Sequence, residues 1–325
     1  MPVRATTAAL ILTVVWLPTI AGTASAQGPR GPALPASQGD SSAPIEISAD
    51  RLEVLQNERV ATFDGNVDAA QGDWRLRSEK LRVYYAATES GARPTISRLD
   101  ASGQVRMTTA DEAASGDEAT YSVETGAIVM TGNVEITSRG NSVRGRHLVS
   151  NRNTGYSTLS GGRIQGRFVP TPAASGRTAR PATGPATSGP ISVNANALDV
   201  QQNSQTARFY GSVEAEQADL RLRADVLHIH YNSQDRGNQQ AVSRIDANGN
   251  VFVSTGTETA KGDDGVYDVA RGLVTLTGDV VLTREGNVIR GRQLVVDLVS
   301  GQSQFDAAAG GGRVQGLFTP GGPRP

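Results

Sequence analysis

The sequence predicts an all-β protein that consists of two tandem copies of one all-strand domain. Three observations support this prediction. One long segment recurs at a constant spacing, apolar and polar residues alternate along most of it, and Gly, Asn and Asp interrupt the alternation at short intervals. Alternation with a period of two places one face of a strand in a core and the other in solvent. The interrupting residues are those that turns between short strands require.

The repeat aligns Ile45–Leu148 with Ile191–Leu294 at an offset of 146 residues. Over 45–70 against 191–216, 11 of 26 positions are identical. A second match, GGRIQGRF at 161–168 with GGRVQGLF at 311–318, has an offset of 150, so four residues are inserted before it. An alignment of this length at one constant offset implies two copies of one domain with equal strand lengths.

The N-terminus has the features of an export signal. Arg4 supplies a positive start, an apolar run lies within 8–16, and the residues at 24–26 fit a small-x-small cleavage pattern ending at Ala26. An uncleaved membrane anchor is the alternative, but the apolar run is shorter than the ~20 residues that a bilayer span needs. Residues 27–43 form a Pro/Gly/Ala/Ser leader that we expect to be disordered.

The predicted domain boundaries follow the composition. Repeat one covers 44–170, a Pro/Gly-containing linker covers 171–189, repeat two covers 190–319, and 320–325 form a tail. Because the copies are so alike, we expect them to dock end to end, with the linker looping outside. Lengthening the linker should then be tolerated, whereas deleting most of it should prevent docking by making the connection too short.

A shorter sequence motif, called the echo below, recurs three times inside each repeat. The pattern apolar-x-Gly-x-Val-x-apolar occurs as FDGNVDA, ASGQVRM and MTGNVEI, and again as FYGSVEA, ANGNVFV and LTGDVVL. A glycine inside a strand marks a bend or bulge, so a glycine at the same place in successive strands should crease the sheet along one line. Such a sheet folds into a long V or flattened roll with an apolar trough inside. Residues 109–117 are the single weak candidate for a helix.

Composition excludes several classes of function. The chain has no cysteine, which excludes disulfides, thiolate metal sites and a lipoprotein acylation site. The net charge is −1, and acidic and basic residues alternate along the chain, so it lacks the basic surface of a nucleic-acid binder.

Few side chains suggest catalysis or metal binding. His228 and His230 lie two apart on a predicted strand and face one side, yet no third ligand is evident, so we expect no metal site. The acidic pairs 117–118 and 263–264 follow glycines and are interpreted as turn residues. No acid lies beside a plausible base or nucleophile. We therefore expect no catalytic residue, no cofactor and no enzymatic activity.

The repeated segments resemble the lipopolysaccharide transport protein A family, also called OstA-like. The opening PIxIxADxLxVxxxxxxATFxGNVxAxQGxxxLRxxxLxVxY matches 44–85, a looser version lies at 190–231, and TGNVxI…GNxxxGxxL matches 131–148 and 277–294. The resemblance implies two tandem OstA-like domains, each an open, V-shaped antiparallel β-jelly roll. It also implies a periplasmic location, with the signal peptide cleaved after Ala26.

The same resemblance implies a function and partners. Members of this family hold the acyl chains of lipopolysaccharide in an apolar groove and stack end to end between an inner-membrane extractor and an outer-membrane translocon. The recurring triplets Arg144-Gly145-Arg146 and Arg290-Gly291-Arg292 are candidates for phosphate contacts at a groove rim, with a solvated strand face as the alternative. The rival hypotheses are a structural β-solenoid-like envelope protein with a filled core, and a periplasmic hydrolase.

The groove-lining candidates are the apolar residues that the alternation places on the inner face of each repeat. The alternative is that they fill an ordinary core. They are Ile45, Ile47, Leu52, Val54, Phe63, Val67, Trp74, Leu76, Leu81, Val83, Met107, Tyr121, Ile128, Met130, Val134 and Ile136 in repeat one, and Ile191, Val193, Leu198, Val200, Phe209, Val213, Leu220, Leu222, Leu227, Val253, Tyr267, Val274, Leu276, Val280 and Leu282 in repeat two.

Overall fold

The computed structural model of the chain describes residues 45–86, 95–110, 112–138, 140–169, 190–233, 240–268, 271–297, 300, 302–307 and 313–318. The expected signal peptide, leader, linker and tail all lie outside these ranges, so what the sequence predicts for them stays a prediction.

The described residues form twenty strands in one continuous antiparallel sheet, which confirms the all-β prediction. The strands are β1 (Glu46–Ser48), β2 (Arg51–Leu55), β3 (Val60–Gln71), β4 (Trp74–Tyr85), β5 (Ile96–Thr108), β6 (Glu112–Ser122), β7 (Ala127–Ser138), β8 (Asn141–Asn151), β9 (Tyr156–Ser160), β10 (Ile164–Phe168), β11 (Ile191–Ala195), β12 (Ala197–Gln201), β13 (Thr206–Gln217), β14 (Leu220–Ser233), β15 (Gln240–Ser254), β16 (Glu258–Asp268), β17 (Leu273–Arg284), β18 (Asn287–Asp297), β19 (Ser303–Asp306) and β20 (Gln315–Leu317).

The weak helix candidate at 109–117 is wrong. β5 ends at Thr108 and β6 begins at Glu112, and the two strands pair directly. The stretch therefore spans the turn of a hairpin and the start of β6. Within the described ranges, no helix has the length and hydropathy that a membrane crossing requires.

The alternation of apolar and polar residues changes phase in the middle of each long strand. In β4, Leu76 and Ser78 are buried, but the next buried side chains are Leu81 and Val83, three and five residues further on from Ser78. The phase changes because the pairing register with β5 shifts between Arg77 and Lys80. A β-bulge of this kind bends the strand and increases its twist.

These bulges recur at the same place in successive strands, so they crease the sheet along one line, as predicted. All six echo glycines have positive φ at the crease: Gly65, Gly103, Gly132, Gly211, Gly249 and Gly278. The crease divides the sheet into two walls, which face each other across the apolar interior. Wall 1 is the half on the side of Leu81, and wall 2 is the half on the side of Leu76.

The interpretation of the acidic pairs 117–118 and 263–264 as turn residues is wrong. Asp117 and Asp263 lie in the middle of β6 and β16, at the crease. The Nδ2 atom of Asn133 donates a hydrogen bond to Oδ2 of Asp117 at 3.2 Å. The error arises because a bulge and a tight turn both favour glycine and short polar residues, so the local sequence does not distinguish them.

The inner face next to the crease alternates between a valine and a small residue. Paired neighbours across this row are Val67 and Ser78, Val105 and Gly116, Val134 and Gly145, Val213 and Ala224, Val251 and Gly262, and Val280 and Gly291. The two walls approach each other most closely at a crease, so small side chains on every second strand leave room for the valines.

The two repeats join by backbone pairing, which confirms the predicted end-to-end docking. β9 pairs with β12, and β10 pairs with β11. All four strands are therefore bonded on both sides, and the sheet continues from one repeat into the next without an edge.

Side chains reinforce this junction. Arg163 of repeat one forms an ion pair with Glu214 of repeat two, with 3.2 Å between Nη2 and Oε2. The rings of Phe168 and Phe209 meet edge to face, with 5.9 Å between their centroids. The exposed ion pair contributes little, whereas the aromatic pair adds about 1 kcal/mol beyond its burial.

The ends of the linker lie side by side, which overturns the expectation that a shorter linker would prevent docking. Phe168 and Ile191 are direct register partners of β10 and β11. The linker is therefore the loop of a β-hairpin, and hairpins close with as few as two residues. The sequence alone gave no sign that the two ends of the segment meet.

We expect that replacing residues 170–189 with a short Asn-Gly-containing turn will preserve the junction. The free energy of unfolding should rise by about 1 kcal/mol, because each halving of a loop recovers about 0.6 kcal/mol of closure entropy. Urea unfolding and the maximum dimension from small-angle scattering provide the measurements. A matched Gly/Ser extension should lower stability slightly without changing the shape. Separation of the repeats in the shortened variant would contradict the hairpin.

Candidate lipid-binding interior

The structure sorts the 31 groove candidates into three groups by exposure. Buried in the interior are Val67, Leu76, Leu81, Val83, Met107, Ile128, Met130, Val134, Ile136, Val193, Leu198, Val200, Phe209, Val213, Leu227, Leu276 and Val280. Half-buried are Ile45, Ile47, Phe63, Trp74, Tyr121, Ile191, Leu220, Leu222, Val253, Tyr267, Val274 and Leu282. Exposed are Leu52 and Val54.

The interior is continuous through the junction between the repeats. Leu148 on β8 is paired with Leu159, which is paired with Leu198, which is paired with Phe209 on β13. All four side chains are at most 2% exposed. One apolar row on wall 1 therefore passes from repeat one into repeat two.

The sequence analysis missed several large residues of this interior. They are Leu99, Val105, Val143, Leu148, Leu159, Ile164, Ile229, Val251 and Leu294, all of them buried. Two signals were available. Val105 and Val251 are the valines of the echo, and Leu148 and Leu294 occupy equivalent positions in the two repeats.

The two exposed candidates lie at one end of the sheet. Leu52 and Val54 belong to β2, which within the described ranges pairs with β3 alone and has an unpaired outer edge. Their side chains are 55% and 56% exposed, whereas the equivalent Leu198 and Val200 are covered by β9 at the junction. Exposure here reflects the missing neighbour strand and not the direction in which the side chains point.

Arg144 and Arg77, two of the arginines near the crease, lie on the outer face of wall 2. Nη2 of Arg144 is 2.8 Å from Oε1 of Glu135, and Nε of Arg77 is 3.1 Å from Oδ2 of Asp68. The two arginine side chains are mostly solvent-exposed, so each pair contributes little stability. The arrangement is that of a solvated strand face, and Gly145 between the two arginines of its triplet faces inward against Leu159.

His228 and His230 point to the outer face of wall 1, as the spacing predicted. Nε2 of His230 is 3.0 Å from Oδ2 of Asp246. Partial burial, followed by the nearby Arg208 and His230, lowers the pKa of His228. Within the described ranges, no three His, Asp or Glu side chains are grouped as metal ligands.

The interior disfavours charge. Burial raises the pKa of the hydroxyl of Tyr231 well above its usual range, and burial also raises that of Tyr267. Within the described part of the chain, no buried side-chain nitrogen or oxygen lacks a hydrogen-bond partner. The interior therefore offers apolar contact and no unused polar group, which suits a hydrocarbon ligand.

Three of the matches found by comparison with known proteins describe what the chain is similar to. A family model described as "LptA/(LptD N-terminal domain) LPS transport protein" matches residues 46–156 and 192–302. An uncharacterised protein of Rhizobium meliloti (strain 1021) is 33% identical over 131 residues, which cover 39% of this chain and 69% of that protein. The crystal structure of LptH, the LptA-homologous periplasmic component of the lipopolysaccharide transport device from Pseudomonas aeruginosa, aligns at 18% identity with a TM-score of 0.36, over 40% of this chain and 96% of LptH.

Proposed function

Because the chain belongs to the LptA/LptD N-terminal domain family of lipopolysaccharide transport proteins, we propose that it is a non-enzymatic periplasmic carrier and bridge. It shields the acyl chains of lipopolysaccharide in its apolar interior while the lipid moves from the inner to the outer membrane. Its partners are the lipid, an inner-membrane extractor and an outer-membrane translocon. The export signal that ends at Ala26 delivers it to the periplasm.

The continuity of the interior is the observation that best supports this proposal. The row from Leu148 to Phe209 crosses the junction with no polar interruption. A lipid that advances along the sheet therefore meets no polar barrier between one repeat and the next. Two separate cores, each closed by its own edge strands, would support a static role instead.

Partial enclosure makes transfer energetically feasible. Burying an acyl chain gains about 0.8 kcal/mol per CH₂, so a sealed cavity would hold the lipid too tightly to pass it on. A V-shaped trough leaves part of each chain in contact with water and the sugars outside. Movement between neighbouring sites of similar burial is then nearly isoenergetic, and an energy-coupled partner can supply the direction.

The two ends of the sheet fit an end-to-end assembly of copies. Among the residues that the structure describes, β1 and β2 leave one outer edge of the sheet unpaired, and β19 and β20 leave the other. Unpaired edges are templates for another strand. The repeat makes β19 equivalent to β9 and β20 equivalent to β10. It likewise makes β1 equivalent to β11 and β2 equivalent to β12. The internal junction is therefore a ready template for a contact between copies.

Apolar residues that are exposed at the two ends of the sheet are equivalent to residues that are buried at the internal junction. At the start of the sheet, Leu52 is 55% exposed, while the equivalent Leu198 is 2% exposed in the junction. At the other end, Phe318 is 66% exposed and is equivalent to Phe168. In an intermolecular copy of the junction, Phe318 would meet Phe63 as Phe168 meets Phe209.

A structural envelope protein with a filled core is the second candidate. It is favoured by the tight packing of repeat one, where Leu81, Val83 and Met130 have no exposed surface. In that case the exposed edges would serve assembly alone, and no lipid would accompany the protein.

Lipid mass spectrometry on protein purified without detergent separates the two candidates. We expect lipopolysaccharide to co-purify in an amount comparable to that of the protein, because the apolar interior retains it in the absence of competing detergent. The measurement compares the native protein with the same preparation after unfolding and refolding in lipid-free buffer. Native protein that has no lipopolysaccharide, and does not take it up when it is supplied, would favour the structural candidate.

A further inference from the structure

The two repeats differ in how completely the inner faces of their walls are covered. Three wall 2 positions are 3% exposed in repeat one but half-buried in repeat two. The equivalent pairs are Leu76 and Leu222, Met107 and Val253, and Ile136 and Leu282. Because each pair has the same strand register, the difference lies in what faces these residues and not in their direction.

Wall 1 opens in the same region. Leu99 and Ile128 of repeat one are buried, whereas their equivalents Ile245 and Val274 in repeat two are half-buried. Tyr267, which lies between them on the paired strand, is half-buried like its equivalent Tyr121 in repeat one and does not distinguish the repeats. In repeat two, wall 2 therefore exposes apolar surface in β14, β15 and β17, and wall 1 does so in β15 and β17.

The residues nearest the crease stay covered in repeat two. Leu276, Val280 and Leu294 are at most 3% exposed. The opening is therefore a cleft between two intact walls, and not a loss of packing throughout the repeat.

Position near an end of the sheet does not explain the cleft. Leu76 lies in β4, with only β1 to β3 between it and the first edge, and is nevertheless buried. Leu222 lies in β14, and the four long strands β15 to β18 separate it from the other edge.

Side-chain size accounts better for the difference in exposure between the two repeats. Met107 and Met130 fill the interior of repeat one, where repeat two has Val253 and Leu276, and methionine adapts readily to irregular gaps.

We propose that the cleft of repeat two is the acyl-chain site, and that repeat one is a filled segment that extends the bridge without holding lipid in its resting state. The cleft is bounded by Leu222, Val253 and Leu282 on wall 2 and by Ile245 and Val274 on wall 1. This inference rests on the proposed lipid-carrier function and adds which repeat accepts the cargo.

The chemistry of the cleft selects a hydrocarbon over a polypeptide. The residues that line it lie in strands that are paired on both sides, so their backbone donors and acceptors are already used. A peptide strand in the cleft would bury its own amide groups without partners, which is costly. An acyl chain brings no such groups and gains from apolar contact alone.

Photo-crosslinking at matched positions tests the proposal. A benzophenone amino acid replaces Leu222 or Leu282 in repeat two, or the equivalent Leu76 or Ile136 in repeat one, and the full chain is irradiated with purified lipopolysaccharide. We expect capture from the two repeat-two positions to exceed that from repeat one at least about tenfold. Equal capture from both repeats, or more from repeat one, would overturn the assignment of the site while leaving the carrier function intact. Absence of lipid capture at every position would count against the carrier function itself.

A filling variant checks the result without a bulky probe. Val253→Met places in repeat two the side chain that repeat one has, and should weaken binding of lipopolysaccharide about tenfold, because it occupies space that one or two CH₂ groups would fill. Met107→Leu in repeat one conserves volume and should change affinity less than twofold. Thermal unfolding establishes that both variants are folded. Unchanged affinity in a folded Val253→Met protein would overturn the proposal.

Discussion

Replacing Leu52 with lysine is expected to weaken end-to-end assembly at least about 100-fold. In an intermolecular copy of the internal junction, this side chain becomes buried as Leu198 is. The variant forfeits about 2 kcal/mol of apolar burial and buries a charge without a partner, which together exceed the 2.7 kcal/mol that a 100-fold change requires. Leu52 is 55% exposed in the single chain, so the stability of the protomer should be nearly unchanged. Sedimentation velocity over a range of concentrations measures the effect.

A capping experiment makes this prediction more specific. Phe318→Lys should disable the opposite end, so each variant alone should be monomeric. Mixed in equal amounts, they should form dimers and nothing larger, because each retains the edge that the other lacks. Val149→Lys makes the same kind of change at an exposed outer-face position within the sheet and should leave assembly intact. Long assemblies of either edge variant alone would refute the template.

Gly132→Ala, which adds a single methyl group at the crease, should produce a large loss of stability. Gly132 has a φ of 99°, which residues with a side chain rarely adopt, and an added Cβ would lie 2.5 Å from Cβ of Asp117. Asp117 cannot simply rotate away, because its own Cβ is part of the clash. Backbone strain costs about 1–2 kcal/mol and overpacking costs about 1–3 kcal/mol, so we expect a loss of about 3 kcal/mol in urea unfolding.

A second glycine separates the two contributions. Gly140 has a φ of 84°, yet nothing lies within 4 Å of an added Cβ. Gly140→Ala should therefore cost only the backbone strain, about 1–2 kcal/mol. If Gly132→Ala were no more destabilising than Gly140→Ala, close packing at the crease would not be what requires glycine there.

Periodic features of the fold were predictable because each depends on local sequence. The alternation in β4 determines which side chains face inward, and the echo glycines determine where the sheet creases. The repeat at an offset of 146 residues predicted that the two copies dock. The acidic pair at 117–118 was misinterpreted because Gly-Asp occurs in bulges as well as in turns.

The sequence by itself therefore determined the strand pattern, the crease, the duplication and the apolar inner face, since all of these follow from short-range steric and hydrophobic rules. Only the tertiary structure decided that Phe168 and Ile191 are neighbours, because the pairing of distant strands brings the linker's two ends together. Only the tertiary structure distinguished the filled interior of repeat one from the cleft of repeat two. Leu76 and Leu222 are the same residue type in the same register, and their exposure depends on how well the packed interior side chains around them cover them, which no short stretch of sequence specifies.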